Sequence, residues 1–155
     1  MYKNLTIAFA LTMLLTAGVA AQRNIEQAID HDPLLEADAK LNLDVAWQAF
    51  GPARRAYKQV LLRFEETLAA YPEFSKMDEF LYLAGMSSYY LSRNEGRQKV
   101  DLTIARERER YNPEKLREDA EAYLTMMLER NPDSRYRTNA ERVLKELKDA
   151  HPPGS

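Results

Sequence analysis

The chain has 155 residues, 45% of them hydrophobic and 30% charged, with 22 Lys and Arg against 24 Asp and Glu. That length suffices for one well-cored domain or a short array of helical repeats, and a net charge of −2 supplies no global field to draw in nucleic acid. No cysteine means no disulfide scaffold, thiolate zinc site, thiol nucleophile or cysteine-linked lipid in this sequence, and His31 and His151 alone leave little for an imidazole metal site or a serine–histidine triad.

Behind Lys3, the stretch Leu5 to Ala21 carries no charge and ends in small residues. It reads as a secretory signal over 1–21, cleaved after Ala21, rather than a retained anchor at the low edge of a spanning length. Residues 22–31 read as a linker, and a helical domain is expected over 32–150. Asp32 before Pro33 offers an N-cap and a first-turn proline, opening a helix to about Phe50. Gly51–Pro52 breaks the chain. A second helix then runs to about Tyr71, ended by Pro72, with Tyr57, Val60, Leu61, Phe64, Leu68 and Tyr71 spaced by three and four along one face. A third helix is expected from about Lys76 to Leu91. Between 92 and 111 lies a charged insertion, with six basic and four acidic residues from Arg93 to Tyr111. Asn112-Pro113-Glu114 opens a fourth helix that ends at Asn131–Pro132, a last one runs from about Arg135 to Ala150, and residues 151–155 form a disordered tail. The class is all-α.

The chain repeats itself internally. LAAYPEFSKMDEFLYLAG, from Leu68 to Gly85, returns in outline as LERNPDSRYRTNAERVL, from Leu128 to Leu144: a helix ends before a proline, a serine (Ser75 or Ser134) follows, and a helix begins. Ala84–Gly85 with Leu81 forms the small pair of a tetratricopeptide first helix, and Ala120, Leu124 and Pro132 suit the second. Ala84, Gly85 and Ser88 share a face on which a partner helix can come close. Together with Pro72, these positions predict tetratricopeptide-like hairpins, about two and a half repeats, stacked into a short right-handed solenoid. Gly85 and Ala120 are 35 residues apart, against about a dozen in the repeat pattern. The excess falls in the second hairpin. It is either a solvated excursion with a short helix near Thr103 to Arg110, or a docking loop whose Val100, Leu102 and Ile104 enter a partner.

The phrases ETLAAYPEFSKMDEFLYLAGMSSYYL and REDAEAYLTMMLERNPDSRYRTNAERVL resemble the tetratricopeptide domains of the outer membrane protein assembly factor BamD family. Tyr71–Pro72 with Ser75, Leu81–Tyr82 with Gly85, and Asn131-Pro132-Asp133-Ser134 carry the resemblance, over about Ala53 to Lys148. It implies a periplasmic, non-enzymatic scaffold that helps insert β-barrel proteins into the outer membrane. The chain departs from that pattern in having no lipidated cysteine after the signal and room for fewer repeats.

In stacked helical pairs the first helices line the concave surface. On the third helix the outward positions Glu79, Tyr82, Met86 and Tyr89 form either an adaptable ligand face or ordinary amphipathic core. Trp47, among Leu41, Leu43, Val45, Ala46 and Phe50, reads as core, and Met126–Met127 as core filler. Glu65–Glu66 and Glu118-Asp119-Glu121, mixed with Arg63 and Arg117, read as solvated helix faces rather than catalytic pairs. No catalytic, cofactor-binding or metal-ligating residues are expected, and no cofactor. The expected partner is a protein or peptide of the cell envelope, without nucleic acid and compatible with membrane proximity. The rival readings are an adaptor tethered to the inner membrane by an uncleaved N-terminal helix, and a peptidoglycan hydrolase.

Overall fold

The structure, a computed structural model, describes residues 32–150, so the expected signal, linker and tail lie outside the described residues. Within them are six helices and no strand: α1 (Pro33–Phe50), α2 (Tyr57–Ala70), α3 (Met77–Ser92), α4 (Ala105–Arg110), α5 (Pro113–Arg130) and α6 (Arg137–Ala150).

Local chemistry sets the starts. The Asp32 carboxylate accepts from the amides of Leu34 and Leu35 at 2.9 and 3.3 Å. The Asn112 side chain does the same for Glu114 and Lys115 at 2.8 and 3.2 Å, and a proline follows each cap. These bonds satisfy amides that the first turn cannot. Between α1 and α2 the chain makes a full turn, not a simple break: Arg55 sits at φ 46° and the Ala56 amide returns to the Ala49 carbonyl at 2.8 Å.

The repeat is visible in the hydrogen bonds of its turns. Tyr71, Phe74 and Met77 donate to Thr67, Tyr71 and Phe74 at 2.8, 3.2 and 3.0 Å; Asn131, Ser134 and Arg137 donate to Met127, Asn131 and Ser134 at 3.0, 3.1 and 3.0 Å. The buried counterpart of Ser134 is therefore Phe74, and not Ser75, which is exposed and donates its hydroxyl to Glu36. Pro72 and Pro132 are exposed: they end helices without packing between them.

α1 pairs with α2 and α3 with α5, α2 packs on α3 and α5 on α6, while α1 and α6 each reach α3. This is a tetratricopeptide-like solenoid of two hairpins and the first helix of a third, with α4 inside the second hairpin. α3 is the central helix, buried on every side from Phe80 to Tyr89. Its closest contact is with α5. A Cβ placed on Gly85 would stand 2.6 Å from Leu124 Cγ and 3.3 Å from the Leu124 amide nitrogen, so only glycine admits this approach. Leu81, Ala84, Ser88, Ala120 and Leu124 are buried around it. Phe64 joins the hairpins, edge-on to Phe80 at 5.7 Å and to Tyr123 at 4.9 Å.

Some expected core positions differ. Leu68 is 38% exposed, and Thr67 is buried in its place, accepting from Asn42 at 3.2 Å. Met127 is core, whereas Met126 is 44% exposed. Leu41 is also exposed, because the buried stripe of α1 runs through Ala39, Leu43, Ala46 and Ala49.

Candidate functional site

First helices line the concave surface of such arrays; here α1 and α6 both pack on α3, and the side chains that meet there come from all three. Trp47 of α1 is half-buried, not core. Its ring stands 6.4 Å from Tyr82 of α3 and 5.7 Å from Tyr136 at the head of α6, and Tyr82 and Tyr136 stack at 4.3 Å. Offset stacking at such distances favours a fixed arrangement of rings.

One carboxylate oxygen holds the cluster. Glu79 Oε1 accepts from Trp47 Nε1 at 2.8 Å, from the Tyr136 hydroxyl at 2.9 Å and from Arg135 at 3.1 Å. Burial, and then the bond to Glu79, push the Tyr136 hydroxyl up to about 12. Asn139 donates to the Tyr82 hydroxyl at 2.6 Å, so both stacked tyrosines are held at the tip as well as the face.

A second cluster follows about two turns along. The Tyr89 hydroxyl donates to Glu146 and accepts from Arg93, while Arg142 also reaches Glu146. The Tyr89 and Arg142 bonds hold the Glu146 carboxyl below its usual range; burial, then the bond to Glu146, raise the Tyr89 hydroxyl. Next to it Tyr90 stacks on Tyr57 at 5.0 Å, with Phe50 6.1 Å away.

The structure thus brings Glu79, Tyr82 and Tyr89 together with residues of α1 and α6. Met86 is fully buried and presents no surface. Val100 is half-buried against the core, and Leu102 and Ile104 are 43% and 51% exposed. These three belong to the insertion, which rests on α2: Lys58 donates to the Lys99 carbonyl and to Glu107, both at 2.8 Å. They lie apart from the concave cluster.

Sequence reasoning missed Tyr136, Asn139, Arg142 and Glu146. A signal was present, because superposing the two turns places Asn139, Arg142 and Glu146 in the register of Glu79, Tyr82 and Met86. Chemically the surface offers flat aromatic faces and satisfied polar tips, which suit recognition. Among the described residues no group of three or more His, Asp or Glu could hold a metal ion, and no helix is long and apolar enough to cross a membrane. Of the adjacent carboxylates, Glu65 and Glu66 pair with Arg110 and Arg63.

No curated protein and no solved structure matches the chain. The profile of the YfiO family, described as outer membrane lipoprotein, matches residues 18–151, most of the chain. Both the turn-for-turn repeat and this match lead to one statement: the chain belongs to the YfiO family of outer membrane lipoproteins.

Proposed function

We propose that the protein is a periplasmic, non-enzymatic scaffold of cell-envelope biogenesis that holds protein partners during outer membrane protein assembly. The observation that carries this reading is the convergence of three donors on Glu79, which fixes the faces of Trp47 and Tyr136 along the concave surface. A preset aromatic surface recognises an extended chain without first having to order itself. Glu79, Tyr82 and Tyr89 set that surface from within, and half-buried Trp47 and Tyr136 offer its accessible part. Family membership supports the envelope setting. Export with cleavage after Ala21 would deliver the chain there, with Gln22 as its first residue; protein retaining Met1 would favour the tethered adaptor.

A photo-crosslinking residue at position 47, read in the native envelope by mass spectrometry, tests the proposal. The expected adducts are outer membrane β-barrel proteins or their assembly factors, formed at position 47 and not at exposed position 126 on α5. Equal yields at both positions, or none at 47, would remove the concave surface from consideration.

A further inference from the structure

The outer side of α2 and the insertion above it form a second surface with different chemistry. Three of the insertion's four acids are engaged by neighbouring groups, and Glu109 is exposed. Glu95 pairs with Arg55 and Arg93, Asp101 accepts from the Thr103 amide and hydroxyl, and Glu107 pairs with Lys58. Of its six cations, Arg93 and Arg110 pair with Glu95 and Glu65 and Lys99 donates to the Asn94 carbonyl, whereas Arg97, Arg106 and Arg108 are exposed and form no ion pair among the described residues. With six cations against four acids from Arg93 to Tyr111, the insertion is basic, although the whole chain carries −2. An open groove of about 470 Å³ runs between α2 and α4, lined in part by Lys58, Leu62, Arg63 and Arg106.

Aliphatic side chains stand among these charges. Leu62, Leu102 and Ile104 are 40%, 43% and 51% exposed. Ile104 stands immediately before α4, and the Arg108 amide donates to its carbonyl at 2.9 Å. Exposed aliphatic tips in the same segment as unpaired guanidinium groups match the two layers of an anionic bilayer, phosphates outside and acyl chains beneath. An acidic polypeptide would match the charges but leave the protruding Leu102 and Ile104 in water.

We propose that the insertion and the outer side of α2 dock on an anionic lipid surface, with Leu102 and Ile104 entering the acyl boundary and Arg97, Arg106 and Arg108 meeting lipid phosphates. The concave surface, built from α1, α3 and α6, stays free for its own partner while the protein lies on the membrane.

The test is sedimentation of the full chain with vesicles of phosphatidylcholine alone or mixed with phosphatidylglycerol. Residues 1–23 contribute alike in the parent and in the variants, so the part of the difference between the two vesicles that the substitutions remove reads the docking surface. Binding should be stronger to the anionic vesicles and weaken as salt rises. R106E/R108E should lower the anionic affinity about tenfold or more. L102S/I104S should lower it severalfold. Both should leave the melting temperature unchanged, since all four side chains are exposed. Equal binding to both vesicles, or a difference that survives both double variants, overturns the proposal. So does binding to polyglutamate as tight as to the anionic vesicles, which would assign the surface to an acidic polypeptide.

Discussion

At Gly85 the second hairpin has no spare room, because a Cβ there meets Leu124 Cγ at 2.6 Å and the Leu124 nitrogen at 3.3 Å. Gly85→Ala should destabilise the protein by about 1–3 kcal/mol. Leu124→Ala alone should cost about 2–5 kcal/mol. The double variant should cost less than their sum, because each change relieves the other; additive denaturation midpoints would mean that the backbone, not Leu124, yields. Tyr82 tests the concave surface in the same currency of contact. It is buried, stacked at 4.3 Å and bonded to Asn139, so Tyr82→Ala should cost about 3 kcal/mol. Arg135→Ala, whose side chain is 75% exposed, should change stability by less than about 0.5 kcal/mol. Acid and alkali should act on different residues. Glu146 titrates below its ordinary value of 4.5 when folded, so its stabilisation is present above that pH and lost as pH falls through the folded value. Tyr136 is raised from 10.0 to about 12, so its contribution is complete below pH 10 and lost as pH rises toward 12. Melting temperatures across pH should show both limbs, and Tyr136→Phe should shallow the alkaline one alone.

Elements were legible in the sequence where their cause is local. Asp32–Pro33 and Asn112–Pro113 mark α1 and α5 because cap and proline act within one turn, and Gly85 with Leu81 and Ala120 marks the closest helix contact through side-chain size alone. The buried face of α2 was legible only in part. Periodicity accepts Leu68 as readily as Thr67, and the choice falls to Asn42 on α1, a residue 25 positions away. Trp47 misled for a similar reason: its neighbours Leu43 and Ala46 are core, but its indole N–H has a carboxylate to meet on α3. The insertion shows the same limit. Its charges announce an exposed segment, whereas its attachment runs through particular partners at and before α2: Lys58 binds both the Lys99 carbonyl and Glu107, Arg110 pairs with Glu65, and the Arg97 amide donates to the Arg55 carbonyl. Lys58→Met should therefore loosen it. Trypsin should then cut at Arg97, Lys99, Arg106 and Arg108 faster than in the parent protein, with fragments carrying the hairpin helices surviving. Unchanged digestion would show that Arg110 and Glu65 hold α4 without help.

Repeat arrays gain stability from contacts between adjacent units, and their end helices are free to fray. This array has one contact that skips a unit: Trp47 on the first helix meets Tyr136 at the head of the last, 5.7 Å apart across α3. Trp47 is the sole tryptophan, so its fluorescence follows the end helix while circular dichroism follows all of them. The two denaturation curves should coincide in the parent protein and separate in Tyr136→Ala, with α1 melting first; separate curves in the parent would show that the contact carries no coupling. The same contact also sets a mechanical limit. A helical array without ties across its mouth can unbend like a spring to admit a bulky guest. Here the rings stand as a clasp across the inner side, so under the proposed function the cradle would keep one width and would favour slender, extended segments over bulky ones.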